Sequence, residues 1–165
     1  VLKYLDETKD NGDGSTAGIF GSKQDYIIFR YAEILLNAAE AAHELGQSAE
    51  GLNYINEVRA RAGITMLQVL TDEKIRNERK VELAFEGHRY WDLRRWRIAQ
   101  EYLSKNLSGI RYVLDHKTKK FEVSIRVNTD GTVRPPIFEK HNYYFPITLT
   151  RTASNPNLVE NPDYK

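Results

Sequence analysis

Two stretches in the first half of the chain carry apolar residues at helical spacing. The first, Ile27–Leu45, stops before Gly46, and the second, Ala49–Ala62, stops before Gly63. Apolar positions three or four residues apart line one face of a helix, and glycine commonly follows a helix end. The very short connection predicts that these two helices form an antiparallel hairpin. The candidate N-caps are Asp25 and Ser48.

The helical pattern continues for a third element and then changes period. Thr71, followed by two acids, begins a helix that leads toward Gly87, and a shorter helix follows as far as Leu103. Farther on, apolar and polar residues alternate on both sides of Asp115–Lys120, which predicts a hairpin turn between two strands. The predicted fold is therefore mainly α-helical, with a small β-hairpin. An irregular C-terminal tail is also predicted, because its two Asn-Pro pairs favour extended or turn structure.

The polar N-terminal stretch contrasts with the rest of the chain. Residues 1–25 are rich in turn-forming pairs and predict an irregular loop segment, whereas residues 26–165 are predicted to form one domain. Asp10–Ser15 has a superficial likeness to a calcium-binding loop, but its glycines are misplaced and the glutamate at the twelfth position is missing. The chain begins at Val1 without an initiator methionine, so we expect a piece of a longer protein.

The run Ile75–Trp96 combines dense charge with large aromatic residues. Many of its acids and arginines are three or four residues apart, so they share a helix face and can pair. Gly87 in its middle disfavours one continuous helix, and two helices are predicted to meet there. Half-buried charges at such a corner need partners, because an unpaired buried charge is expensive. The residues predicted to hold the corner are Glu82, Glu86, Arg89 and Asp92.

This run resembles the signature of the SusD/RagB-like family, which reads Glu-Arg, Glu, Glu-Gly, Arg, Asp and Arg-Trp in order. Residues 30–41 (RYAEILLNAAEA) and 55–63 (INEVRARAG) resemble the same family, and the hairpin they belong to resembles one tetratricopeptide-type repeat. The tail is similar too, but Thr148, Glu160 and Asp163 stand where Pro, Gln and Gly are usual. The residues that carry the signature are Glu78, Arg79, Glu82, Glu86, Gly87, Arg89, Asp92, Arg95 and Trp96.

The resemblance implies a fold, a location and a function. It implies tetratricopeptide-like helical hairpins in the C-terminal part of an outer-membrane nutrient-binding lipoprotein of Bacteroidetes. Such a protein is lipid-anchored at the cell surface through an N-terminal segment that this chain lacks. It binds an oligosaccharide or related nutrient without converting it, and delivers it to a TonB-dependent, SusC-like transporter. No cofactor and no metal are implied. The candidate glycan-binding residues are loop aromatics, Tyr4 and Phe20.

Composition narrows the functional classes. Apolar residues make up 41% and charged residues 28% of the chain, with a net charge of +1, so no overall charge attracts nucleic acid. Tyr90, Trp91 and Trp96 alternate with arginines, but helix packing with arginines folded over the rings is favoured over stacking on nucleic-acid bases. The absence of cysteine excludes disulfides and thiolate zinc sites, and the histidines lack metal-binding spacing.

Two alternatives to nutrient binding follow from the residues. Glu82 and Glu86, one helical turn apart, could be the carboxylate pair of a glycoside hydrolase. Arg79 and Arg89 are predicted to lie on the same face and to keep both acids ionised and occupied, so an enzyme is the weakest hypothesis. The other alternative is a helical-repeat scaffold for protein–protein interaction that has no small-molecule ligand.

Overall fold

The computed structural model describes residues 2–4, 25–106, 108–127 and 136–164. The chain divides into two compact units, Val1–His88 (unit 1) and Arg89–Lys165 (unit 2). Most of the predicted loop segment 1–25, including the calcium-loop look-alike, lies outside the described residues. That segment, and its boundary with a domain over 26–165, therefore stay predictions.

Unit 1 is built on the predicted helical hairpin. Helix α1 (Tyr31–Glu44) and helix α2 (Ser48–Arg61) pack together, and α3 (Asp72–Glu82) packs against α1. Gly46 has a φ of 75° in the connection between α1 and α2, a backbone conformation that suits glycine. Thr71 caps α3 by accepting a hydrogen bond from the backbone N–H of Lys74 at 3.3 Å. The predicted mainly α-helical fold is confirmed.

The core of unit 1 explains the small residues of the hairpin. Leu36, Ile55 and Ile75, one from each helix, are almost fully buried. Gly51 on α2 lies so close to α1 that an added Cβ would be 2.9 Å from the carbonyl oxygen of Ala39. Close packing of this kind is possible only where one helix has no side chain at the contact, so glycine is required there.

Helix α1 begins four residues later than predicted, and Asp25 does not cap it. Arg30 is the N-cap residue, with extended backbone angles of φ −151° and ψ 164°. The apolar residues at 27–29 share the periodicity of α1 but are not helical, and Ile28 and Phe29 are largely exposed. The predicted start of α1 was therefore wrong, because periodicity cannot show where an extended residue such as Arg30 interrupts a helix.

The predicted break near Gly87 is confirmed, although α3 ends earlier than expected. Helix α3 stops at Glu82, a turn follows, and α4 (His88–Arg95) begins directly after Gly87. Phe85 and Gly87 both have positive φ, 66° and 80°. Glycine reaches this region freely, whereas phenylalanine does so only when the surrounding structure holds it there.

The predicted single helix ending at Leu103 is two helices in the structure. Helix α5 (Ala99–Leu103) follows α4 after an interruption at Arg97, whose φ is 58°. A left-handed residue cannot continue a right-handed helix, so the chain changes direction at Arg97. Leu93 of α4 and Ala99 of α5 then share a small buried core with Phe138.

The predicted β-hairpin is confirmed. Strands β1 (Ser108–Asp115) and β2 (Lys120–Val127) pair antiparallel, with Asp115 opposite Lys120. The Asp115 carboxylate accepts hydrogen bonds from the Lys117 backbone and the Thr118 hydroxyl at 2.8 and 2.7 Å. These local bonds are typical of aspartate at the start of a turn. The hydrogen bonds to Thr118 and Lys117 also lower the pKa of the Asp115 carboxyl.

The C-terminal tail is mostly irregular, as predicted, but contains a short helix, α6 (Leu149–Ser154), that was not expected. One Glu160 carboxylate oxygen accepts hydrogen bonds from the backbone of Ile147 and Asn161, both at 2.8 Å. Asp163 has a φ of 66°, which suits the glycine usual in the family at this place. The Glu160 side chain therefore links two segments of the tail, one at Ile147 and one at Asn161.

Candidate functional site

The signature acids of unit 1 are held by cations that the sequence spacing did not identify. Glu86, whose side chain is 1% exposed, accepts hydrogen bonds from Arg30 Nε at 2.9 Å and from Lys3 Nζ at 2.5 Å. Glu82 accepts from Arg30 at 2.6 Å and from Arg61 at 2.7 Å. Among the described residues, each carboxylate therefore has two cationic partners, which come from outside the signature.

The same cations also stabilise the end of α3. Lys3 Nζ donates to the carbonyl oxygens of Glu82 and Ala84 at 2.8 Å each. Arg30 donates to the Glu82 carbonyl oxygen at 2.6 Å. The last carbonyls of a helix have no partner within the helix and carry partial negative charge, so positive side chains stabilise them. One cluster therefore neutralises the acids and caps the helix.

This network keeps Glu86 ionised. Burial raises the pKa of the Glu86 carboxyl, but the hydrogen bonds from Arg30 and Lys3 outweigh burial and hold that pKa below its ordinary value of 4.5. For Arg30, burial opposes the charge, while the hydrogen bonds to Glu86 and Glu82 raise the pKa of the guanidinium overall. A carboxylate with a lowered pKa and two bound cations is a poor general acid.

The remaining signature residues of unit 1 are also buried or paired. Glu78 is buried and forms an ion pair with Arg59. Arg79 is buried, donates to Asn37 at 2.6 Å and lies 4.0 Å from Glu40. The prediction that Arg79 and Arg89 supply the counter-charges of Glu82 and Glu86 missed Arg30, Arg61 and Lys3, because these lie far from both acids in sequence.

In unit 2 the signature residues pair with their own neighbours. The buried Asp92 accepts from Arg95 Nε at 2.9 Å, and the Arg95 guanidinium carbon lies 4.7 Å from the centre of the Trp96 ring. The Arg89 guanidinium carbon lies 5.3 Å from the centre of the Tyr102 ring. A structural role for the whole signature stays a prediction, and these contacts are consistent with it.

One of the two predicted glycan-binding aromatics lies in a ring pair. Tyr4 stacks on Tyr26 with ring centres 6.0 Å apart and planes 6° from parallel, and its hydroxyl donates to the Phe85 carbonyl at 3.1 Å. Tyr26 and Phe85 are 68% exposed. Phe20 lies outside the described residues, so its predicted role is untested.

Sequence reasoning missed a second group of aromatic rings, in unit 2. We call Tyr90, Trp91, Tyr144 and Phe145 the aromatic surface. Their exposed fractions are 41%, 55%, 40% and 63%. Tyr90 and Trp91 are neighbours on α4, with ring centres 5.2 Å apart, and Tyr144 and Phe145 are neighbours in the tail. Exposed aromatic rings of this kind are suited to binding flat apolar ligand faces.

Arg94 joins the two halves of the aromatic surface. Its guanidinium carbon lies 5.2 Å from the ring centre of Tyr90, 5.5 Å from Trp91 and 5.0 Å from Phe145. It donates to the Tyr90 hydroxyl at 2.7 Å and to the Tyr143 carbonyl at 2.6 Å. Arg94 is only 9% exposed, so its charge is stabilised mainly by ring faces and two neutral oxygens.

Arg97 borders the same surface but is exposed to solvent. Its guanidinium carbon lies 4.9 and 5.1 Å from the ring centres of Tyr143 and Tyr144, and it donates to the Tyr144 hydroxyl at 2.9 Å. The positive φ of Arg97 directs the chain out of α4 at this point. The interruption of the predicted helix therefore coincides with the residue that approaches the tail aromatics.

The tail segment that carries Tyr144 and Phe145 is held on several sides. Arg94 binds the Tyr143 carbonyl, and the Tyr164 hydroxyl donates to the Tyr144 carbonyl at 3.0 Å. Asn161 donates to the Phe145 carbonyl at 2.6 Å. These bonds order the segment before any ligand binds, which reduces the entropy lost on binding.

The sequence predicted some of the contacts in the aromatic surface. Arginines folded over Tyr90 and Trp91 were predicted, and Arg94 lies over both rings. The interpretation of these rings as helix-packing residues was incomplete, because they stay about half exposed. No local pattern indicated Phe145, because it reaches Arg94 from about fifty residues farther along the chain.

Three of the described histidines have polar partners. His43 bonds Ser48 and Asp72 at 3.0 Å each, His88 lies 3.6 Å from Glu33, and His141 lies 3.3 Å from Glu139. Across the ranges that the structure describes, no group of three or more histidines and acids could hold a metal ion. Within those same ranges, none of the helices combines the length and apolar character needed to cross a membrane.

The helical hairpin, the helix break at Gly87 and the paired acids define a class of tetratricopeptide-like helical protein, and sequence comparison identifies it. The chain matches the model of the SusD family over residues 1–164 and belongs to that family. It is similar to SusD-like protein P25 of Formosa agariphila, with 42% identity over 159 residues. That match covers 91% of this chain and 26% of the relative.

Solved structures agree with this assignment. A SusD-like protein from Bacteroides fragilis is similar with a TM-score of 0.67 and 33% identity, over 86% of this chain and 26% of that chain. Surface glycan-binding protein A from Bacteroides uniformis is similar with a TM-score of 0.57 and 29% identity, over 86% of this chain and 28% of that chain. The chain thus spans about a quarter of the length of these relatives.

Proposed function

We propose that the whole protein binds an oligosaccharide, or a related nutrient, and does not convert it. The aromatic surface of unit 2 is the observation that carries this proposal. Sugar rings have apolar faces that stack on aromatic side chains, while nearby polar groups bind their hydroxyls. Trp91 and Phe145 supply exposed rings, and Arg97 and the Tyr144 hydroxyl supply polar groups beside them.

The similarity to a protein named as a surface glycan-binding protein supports a carbohydrate ligand. Membership of the SusD family supports the wider proposal of an outer-membrane, surface-exposed lipoprotein that delivers its ligand to a TonB-dependent, SusC-like transporter. In this proposal, the lipid anchor and the transporter contact belong to the whole protein. This chain matches about a quarter of the length of its relatives.

Binding without conversion is supported by the state of the acids. Glycoside hydrolysis needs one carboxyl that holds a proton and one that is free to attack or to activate water. Glu86 is buried, ionised and bound to Arg30 and Lys3, and Glu82 is bound to Arg30 and Arg61. Neither carboxylate of this pair is free for either task.

The Tyr4–Tyr26 ring pair is a second proposed contact for the ligand. Tyr26 is 68% exposed, and its ring plane is nearly parallel to that of Tyr4. The adjoining cations Lys3 and Arg30 are already bound to carboxylates, so this pair offers ring faces and hydroxyls and few free charges. We expect it to contribute less to ligand binding than the aromatic surface.

The experiment is a binding screen of the whole protein against plant and host oligosaccharides, read by calorimetry and by product analysis. Shallow sites of this kind bind with micromolar to millimolar affinity, about −4 to −8 kcal/mol. We expect Trp91→Ala to weaken binding about tenfold, which corresponds to a loss of about 1.4 kcal/mol of stacking on the ring. Tyr112→Ala, at a comparably exposed ring on β1, is the matched control and leaves the affinity unchanged.

Two results would contradict the proposal in different ways. Formation of a shortened saccharide would show catalysis. Failure of every saccharide in the screen to bind would favour the interaction-scaffold hypothesis. That alternative is supported by a groove of about 350 Å³ on the helical hairpin, lined mainly by Arg30, Tyr31, Leu35, Val58 and Arg61.

A further inference from the structure

Arg94 and Arg97 differ in what neutralises them from the arginines of unit 1 that the structure describes, which pair with carboxylates. In the part of unit 2 that the structure describes, no carboxylate lies within ion-pair distance of either guanidinium. Three acids of unit 2 form ion pairs with other residues: Asp92 with Arg95, Glu101 with Lys105, and Glu139 with His141. The aromatic surface therefore carries positive charge that no acid of unit 2 among the described residues neutralises.

This arrangement is unusual for a buried arginine. A buried charge is normally paired with an opposite charge, because desolvation without a partner is expensive. Arg94 has instead three ring faces, one hydroxyl and one carbonyl oxygen. These contacts compensate for lost hydration but leave the full positive charge in place. An anion bound at this surface would supply a counter-charge that the described residues of unit 2 do not.

Arg97 provides the direct contact for such an anion. A guanidinium has five N–H donors, and one nitrogen of Arg97 donates a hydrogen bond to the Tyr144 hydroxyl. The side chain is exposed, so the remaining donors can reach a ligand. A guanidinium binds a planar or tetrahedral oxyanion through two parallel hydrogen bonds, which are stronger than bonds to neutral sugar hydroxyls.

We propose that the aromatic surface selects saccharides that carry an anionic group, either the carboxylate of a uronic acid or a sulfate ester. The sugar ring lies on Trp91 or Phe145, the anionic group binds Arg97, and the buried Arg94 adds to the positive potential. This proposal rests on the proposed saccharide binding and adds the charge of the ligand. The fixed tail segment keeps Tyr144 and Phe145 in position for it.

The test uses the whole protein and ligand pairs that differ only in charge. The carboxylate arm compares oligogalacturonate with its methyl ester, and the sulfate arm compares a sulfated galactan fragment with its desulfated form. Calorimetry is expected to show about tenfold tighter binding of the charged member in at least one arm, because a charge-assisted hydrogen bond contributes more than a neutral one. Raising the salt concentration is expected to reduce this preference.

Substitutions test which residue causes the preference for the charged saccharide. Arg97→Gln is expected to bind both members of the pair with the same affinity, and Arg97→Lys is expected to recover part of the preference, since it keeps the charge but loses the planar donor fork. Arg126→Gln removes one exposed positive charge from β2 of the same unit and is expected to keep the wild-type preference. Unchanged melting temperatures will show that the variants are folded.

The outcomes separate this proposal from the broader one. Equal binding of charged and neutral members, or a preference that survives in Arg97→Gln, overturns the anion selectivity while saccharide binding stands. Failure of every charged and neutral saccharide to bind overturns both proposals. A preference for the charged member that is lost in Arg97→Gln and kept in Arg126→Gln supports the assignment of Arg97.

Discussion

The two units use arginine in different ways. In unit 1, Arg30 binds two glutamates and a helix-end carbonyl, and Arg59 binds Glu78, so buried positive charge meets buried negative charge. In unit 2, Arg94 is buried, as Arg79 is in unit 1, but it lies against aromatic rings and neutral oxygens. The first arrangement neutralises its own charge, whereas in the second no described acid of unit 2 neutralises Arg94.

This difference shows that burial alone does not reveal the role of a charged residue. Arg79 and Arg94 are both buried and both belong to the same densely charged run. What separates them is the chemistry of their neighbours: Arg79 lies near Glu40 and Asn37, whereas Arg94 lies near rings that remain half exposed. Unit 1 therefore has the features of a framework, and unit 2 has the features of a binding surface.

Glu86→Ala should give the largest loss of stability. Removing the carboxylate leaves Arg30 and Lys3 without a major partner at a buried site, which costs about 3 kcal/mol. Urea unfolding of the whole protein measures this loss. Glu57→Ala removes an exposed acid from α2 and should change the free energy of unfolding by less than about 0.5 kcal/mol. Equal losses for the two variants would contradict the internal neutralisation of unit 1.

Gly51→Ala tests how tightly the helical hairpin is packed. An alanine Cβ would be 2.6 Å from a Leu70 side-chain carbon and 2.9 Å from the Ala39 carbonyl oxygen, and the backbone oxygen cannot move without shifting α1. We expect a net loss of about 2 kcal/mol in unfolding free energy, although alanine favours helix by about 1 kcal/mol. Asn53→Ala, exposed on the same helix, gains only the helix propensity and should be slightly stabilising. A stabilised Gly51→Ala protein would disprove the close contact.

Acid should weaken the unit 1 network. The folded-state pKa of Glu86 lies below its ordinary value of 4.5, so its stabilising effect is fully present above pH 4.5 and is lost as the pH falls through the folded-state pKa. Glu86→Gln, which cannot ionise, should be less stable than the wild type at neutral pH, and the difference should narrow in acid. Denaturant unfolding across this pH range measures the difference. A constant difference at every pH would argue against an ionised, paired Glu86.

Arg97→Gln should have the smallest effect on stability. Arg97 is exposed, it has no carboxylate partner among the described residues, and its contacts are with tyrosine rings and one hydroxyl. We expect the free energy of unfolding to change by less than about 0.5 kcal/mol, while the preference for anionic saccharides is lost. Thermal unfolding of this variant, set beside that of Glu86→Ala, sharpens the comparison of the two units. A large loss of stability would assign Arg97 to the framework instead.

Local sequence patterns predicted most of the elements. The helical hairpin, the cap of α3, the break at Gly87 and the turn between β1 and β2 each depend on residues close together in the chain. Two of the errors in element boundaries fell where a single residue leaves the expected backbone region, at Arg30 and at Arg97. Periodicity continues through such a residue because it records only which face is apolar.

The partners of the charged residues were decided by the tertiary structure. The sequence by itself determined that the acids of the signature would need counter-charges, because unpaired buried charge is unstable. It did not determine that Arg30 and Lys3, 56 and 83 residues from Glu86, would supply them, or that Arg94 would meet Tyr143 from 49 residues away. Contacts at such separations depend on how helices pack, and packing is set by the whole core rather than by local spacing.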